Sequence, residues 1–177
     1  MRHEYYDYNK EQLLSSPKIP MVVMEDKPTV FKAIAREMAD FIKEKNEKGG
    51  TTVFICPVGP IGQYPYFVDM VNSERISLKN CWFINMDEYL DENRQWIPID
   101  HPLSFRGFME RTVYSKIDPE LNVPVDHRVF PDPNNVEYIP NLIEKLGGVD
   151  ICFGGIGING HLAFNEADPS LTCEEFK

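Results

Sequence analysis

Three short runs constrain this chain more than anything else in it. Residues 51–56 (TTVFIC), 81–86 (CWFINM) and 149–153 (VDICF) are apolar, rich in β-branched and aromatic side chains, and each ends in a turn. Runs of this kind read as strands buried on both faces. Helical patterns separate them. After Pro28, residues Phe31, Ile34, Ala35, Met38, Phe41 and Ile42 recur at helical spacing, and Gly49-Gly50 closes the element. A short helix is predicted around 66–73, another over 104–114, and a third over 135–146, closed by Gly147-Gly148. A brief strand is predicted near 128–130. Strands alternating with helices predict an α/β fold: a mostly parallel, Rossmann-like sheet with helices on both faces. In such sheets ligands bind beyond the carboxyl ends of the strands. Those ends are 57–62, Asp87-Glu88 and 154–161.

Composition narrows the classes. The chain has 177 residues, which suits one α/β domain with a sizeable core. It carries 18 basic against 28 acidic residues, net −10. That argues against a nucleic-acid or anionic-membrane surface, though not against a small anion held by local N–H groups. No apolar run approaches the ~20 residues a membrane helix needs, and the polar, aromatic start lacks a signal-peptide core. The four cysteines, Cys56, Cys81, Cys152 and Cys173, make no CxxC pair. They are expected to be buried free thiols of a cytoplasmic protein.

The chemistry-bearing residues sit at the strand ends. The third end reads GGIGINGHLAFNE (154–166). Gly155, Gly157 and Gly160 formally match a dinucleotide fingerprint, but Asp168-Pro169 interrupts the helix that reading requires. A Gly-rich turn that merely packs strand on helix is one reading. The other takes His161, flanked by Asn159 and Glu166, as an oriented acid/base group. At the second end, Asp87-Glu88 is either a solvated turn or, beside His161, a base able to take a proton from carbon next to a carbonyl or imine. The first end, Pro60-Ile61-Gly62-Gln63-Tyr64-Pro65, lacks the GK[ST] of a nucleotide loop. It still has backbone donors for an anion. His3, His101 and His127 read as surface or structural. No metal-ligand spacing or Gly-x-Ser-x-Gly elbow occurs.

Three segments together, FINMDEY (83–89), HPLSF (101–105) with Phe108-Met109, and GGIGINGHLAFNE (154–166), resemble the glucosamine-6-phosphate deaminase (isomerase) family. That family shares its fold with 6-phosphogluconolactonases. The resemblance runs from about Ile19 to the end and leaves 1–18 as an N-terminal arm before a domain at 19–177. It implies conversion of an aminosugar phosphate to a ketose phosphate with loss of ammonia. His161 would assist ring opening, Asn159 and Glu166 would orient its imidazole, and Asp87 would move the proton from C2 to C1. Pro60, Ile61, Gly62, Gln63, Glu88, Gly157 and Gly160 would line the substrate. No cofactor or metal is implied; a homo-oligomer is.

Departures qualify the resemblance. The family's Pro-Thr-Gly-Gly-Thr-Pro phosphate loop is replaced by Pro60-Ile61-Gly62-Gln63-Tyr64-Pro65, without either Thr side chain and with Gln63 in place of the second Gly. Asn159 stands where many members have Asp, and an amide orients rather than ionises. After Glu166 the chain reads Ala-Asp-Pro-Ser rather than Pro with a Gly/Ser-rich stretch. The family's C-terminal third, with its basic phosphate ligands, has no counterpart. The expectation is therefore an incomplete sheet, as in a fragment of a longer protein, with a reduced relative or a second chain as alternatives. The rival readings are a lactonase and a non-catalytic sugar-binding protein.

Overall fold

Asp26 starts the first long helix: its carboxylate accepts the Thr29 N–H at 2.8 Å and Pro28 occupies the first turn, where a missing N–H leaves nothing unpaired. The resulting helix α2 (Lys27–Glu47) buries Ala35, Met38, Ala39 and Ile42, the face its periodicity predicts. Before it, the short helix α1 (Lys10–Ser15) buries none of its residues. The computed structural model describes residues 7–15, 17–158, 160–163 and 170.

After α2 the chain alternates: β1 (Thr52–Cys56), α3 (Gln63–Ser73), β2 (Cys81–Asn85), α4 (Phe105–Thr112), β3 (Arg128–Val129), α5 (Tyr138–Leu146) and β4 (Ile151–Cys152). The four strands form one parallel sheet in the order β3-β2-β1-β4. Side-chain alternation divides it into two faces. Phe54, Cys56, Cys81, Phe83 and Phe153 point to the side covered by α2, α3 and α4. Val53, Ile84 and Val129 point to the side covered by α5 through Leu142. The α/β architecture with helices on both faces is thus observed. Full burial of each large side chain such as Phe54, Phe67 or Phe83 stabilises by about 1.5–3 kcal/mol. Among the described residues, no helix is long and apolar enough to cross a membrane.

Winding reverses once. The chain steps from β1 through β2 to β3 on one side of β1, then returns with α5 on the opposite face to place β4 on β1's other edge. The crevice at the carboxyl ends of β1 and β4 is the topological switch point, where open α/β sheets bind ligands. Asp150 locks this return. Its carboxylate accepts the Val53 N–H at 2.8 Å and pairs with Lys45 of α2 at 2.7 Å.

Three details differ from the sequence reading. Helix α3 begins at Gln63, not near Tyr66, because Pro65 lies inside its first turn rather than before it. Helix α5 begins at Tyr138, not Asn135, and again carries a proline, Pro140, in the first turn. Gly147, at φ +85°, ends it in the left-handed conformation glycine favours. Finally, Cys56 and Cys81 are buried free thiols as expected, but Cys152 is exposed. It lies on an edge strand, and its side chain takes the face opposite Phe153, away from the aromatic core. Burial pushes the Cys81 thiol up to about 12, so it stays protonated at neutral pH. Cys173 lies outside the described residues.

Candidate active site

The three strand ends converge on one cavity of about 400 Å³. The turn after β1 contributes Gly59 and Pro60, the end of β2 contributes Asp87, and the segment after β4 contributes Gly157 and His161. Phe105, the first residue of α4, completes the wall. Asp87 and His161, far apart in sequence, therefore share a pocket at the switch point.

Asp87 is half-buried. Burial, then the neighbouring Glu88 carboxylate, raises its pKa above the ordinary carboxylate value. A carboxyl raised in this way is a better proton acceptor once ionised. His161 is set by a tight turn. The Gly157 N–H donates to the His161 carbonyl at 2.9 Å, and the Gly160 N–H donates to the Gly157 carbonyl at 2.9 Å. Gly160 takes φ +87°, which the turn requires. Gly157 packs directly on the imidazole: a Cβ there would stand 2.1 Å from Nε2 and 2.4 Å from Cε1.

That packing yields a prediction. Gly157→Ala is expected to displace the imidazole and lower turnover about 10- to 100-fold, since a shift of about 1 Å in a reacting group has effects of this size. Stability should change little, because the ring can swing toward the cavity. Ammonia-release kinetics beside a thermal melt checks it. Unchanged turnover would mean that the working position of His161 is not the one over Gly157.

Glu88, read from sequence as substrate-facing, is placed differently. Its side chain is 1% exposed and is not among the residues lining the Asp87 cavity. Instead it accepts from the Tyr89, Phe105 and Arg106 backbone N–H groups, the Ser104 hydroxyl and Arg106 Nε, all at 2.8–3.1 Å. Burial alone would raise its pKa, but the N–H donors of Arg106, Phe105 and Tyr89 and the Ser104 hydroxyl outweigh it and hold the carboxyl below its ordinary value. Two adjacent carboxylates thus have opposite environments.

The loop after β1 splits similarly. Pro60 lines the cavity, while Ile61, Gly62 and Gln63 do not. Ile61 is exposed. Gly62 lies beneath α2, where a Cβ would stand 2.2 Å from the Phe31 ring. Gln63 and Tyr64 are turned inward and buried. The Gln63 side-chain amide donates to the Pro60 carbonyl at 2.8 Å, and the Tyr64 hydroxyl donates to the Pro57 carbonyl. They brace the loop from below rather than offer side chains to a ligand. Gly160 belongs to the His161 turn without lining the cavity. Asn159 and Glu166 lie outside the described residues. Phe105 and Met86 line the cavity without being read as site residues from sequence. Ser104 was the available signal for Phe105. It caps α4 by accepting the Gly107 N–H at 3.1 Å, and a helix starting there sets Phe105 beside the buried β2 end.

Similarity to known proteins agrees with this geometry. No protein-family model matches the chain. A glucosamine-6-phosphate deaminase of Caenorhabditis elegans is 32% identical over 155 residues, covering 85% of this chain and 56% of the relative. The chain spans about half the length of the curated relatives it matches. A solved monomeric glucosamine-6-phosphate deaminase, described as a missing link of the NagB superfamily, superposes with a TM-score of 0.67 at 30% identity. It covers 82% of this chain and 59% of that one. The 6-phosphogluconolactonase of Plasmodium vivax shares the fold, with a TM-score of 0.58 at 23% identity over 78% of this chain and 49% of that one. By sequence and fold alike, the chain is a relative of the glucosamine-6-phosphate deaminases, on an α/β fold held in common with the 6-phosphogluconolactonases.

Proposed function

We propose that this protein isomerises and deaminates an aminosugar phosphate, converting glucosamine 6-phosphate and water to fructose 6-phosphate and ammonia. The observation that carries the reading is Asp87 and His161 on one cavity, with the carboxyl of Asp87 raised by burial. In this reaction His161 shuttles a proton at the ring oxygen as the sugar opens. Asp87 takes the C2 proton of the open form and returns it to C1. The enolamine so formed becomes an imine at C2, which water hydrolyses with release of ammonia. The roles of Asn159 and Glu166 in orienting the imidazole belong to the same proposal, as do a cytoplasmic site of action and self-association. A mass measurement in solution tests the last, for which the monomeric relative is a counterexample.

One observation favours a variant sugar. The loop at 60–65 turns Gln63 and Tyr64 into the core, so it supports an anion through backbone alone.

The test is ammonia release from glucosamine 6-phosphate by the full-length protein, with His161→Ala alongside. Release by the parent and a loss of about 10²–10⁴-fold in the variant is expected for a general acid/base group. A folded parent that releases no ammonia refutes the assignment and turns attention to other aminosugars and to a binding role.

A further inference from the structure

The carboxylate of Glu88 has every sign of a placed part rather than a solvated turn residue. One oxygen accepts from Tyr89 N–H and Phe105 N–H, at 2.8 and 2.9 Å. The other accepts from the Ser104 hydroxyl, Arg106 N–H and Arg106 Nε, at 3.1, 2.9 and 3.0 Å. Five donors occupy the acceptor positions of the group, leaving little capacity for a substrate. Four of them belong to residues at the start of α4. Two of these are backbone N–H groups of its first turn, where an anion is favoured by unpaired N–H groups and the helix dipole. The charge partner is held as well: the Arg106 guanidinium lies over the Trp96 ring, 4.4 Å from its centroid, and donates to the Ile97 carbonyl. Glu88 therefore ties the end of β2 to a helix that begins after a long loop.

The tie matters because of what its two ends carry. Asp87 precedes Glu88, and Phe105 is the first residue of α4. Both line the cavity that holds His161. Bond by bond, the path from one wall to the other is Asp87, Glu88, then the Phe105 N–H. Met109 anchors α4 in the core, and the Tyr89 ring meets Phe105 edge-on at 5.2 Å between centroids. The loop at 91–104 that leads into the helix, however, packs through few buried side chains. The Glu88 bridge is therefore what joins the first turn of α4 to the end of β2 by hydrogen bonds.

We propose that Glu88 is a positioning residue of this site: by clamping the first turn of α4 it fixes Phe105 beside Asp87, and so sets how a bound sugar is aligned with that carboxylate. The kinetic part rests on the function proposed above; the structural part does not.

The experiment uses Glu88→Gln, Glu88→Asp, Phe105→Ala and the double variant Glu88→Gln/Phe105→Ala, all in the full-length protein. Glu88→Gln keeps the shape but turns an NH2 toward donors. It is expected to lower kcat for ammonia release about 10- to 100-fold with KM changed far less, as misalignment rather than lost affinity predicts. Because Glu88 acts through Phe105, the double variant should be little worse than the poorer single variant. Losses that multiply, or a loss confined to KM, overturn the proposal. Glu88→Asp retains the charge and carries the test if the amide variant does not fold. It should recover part of kcat, and a turnover equal to that of the parent overturns the clamp. Hydrogen exchange at the Phe105 and Arg106 amides gives a readout independent of turnover. Exchange there should quicken in Glu88→Asp, and unchanged exchange overturns the inference. A parent without ammonia release refutes the functional reading instead, and the exchange result then judges the clamp alone.

Discussion

Replacing Asp87 with Asn is expected to lower ammonia release by about 10²–10⁴-fold, the usual worth of a positioned general base, without destabilising the fold. The two halves of this expectation have one cause. Burial and the nearby Glu88 charge raise the Asp87 pKa, so its ionised form is disfavoured in the folded state relative to the unfolded chain. Below the unfolded pKa both states hold the proton and nothing is lost. Above the folded pKa the ionised carboxylate weighs fully against folding. Asn carries no charge, so at neutral pH the variant should melt at the same temperature or higher, and the advantage should vanish in acid. In the parent, turnover should fall as pH drops through the raised pKa, so the acid limb lies above the ordinary aspartate value. Thermal melts at several pH values and a pH–rate profile check both halves. A variant that keeps parental turnover would remove Asp87 from the chemistry.

Phe54→Ala should have the largest effect on stability. Phe54 is fully buried and holds three rings together: Phe41 at 5.7 Å, Phe83 at 5.9 Å and Phe153 edge-on at 5.1 Å between centroids. Truncation of a buried Phe costs about 3–5 kcal/mol, against a total stability of about 5–15 kcal/mol for most domains. A fall in Tm on the order of 10 °C follows. Val136→Ala, at an exposed position, should stay within about 0.5 kcal/mol of the parent. The core variant should also lose activity below its melting point. Phe153 leads straight into the segment that carries His161, so loosening that ring loosens the turn. A Phe54→Ala protein with parental stability would mean that this aromatic cluster does not bear the core.

The elements themselves were legible in the sequence because their determinants are local. The α2 face follows from a 3.6-residue period, and β1 and β2 from short apolar β-branched runs. The α3 boundary was misplaced because Pro65 reads as a break in the chain, but in a first helical turn a missing N–H breaks nothing. The exposure of Cys152 was not legible, because an edge strand looks like a central one until its neighbours are known.

The site divides along the same line. Residue type and local pattern were enough to say which side chains carry reactive groups, that they stand at strand ends, and which family they resemble. Tertiary structure alone decided that β4 returns to the far edge of β1, which brings His161 onto the cavity with Asp87. It also decided that Glu88 turns to α4 while its neighbour turns to the cavity, and that Gln63 and Tyr64 brace their loop from beneath. The physical reason is that residue type and spacing act over a few residues. Strand order, the direction of a side chain at a strand end, and the donors that meet it are set by elements far apart in the chain.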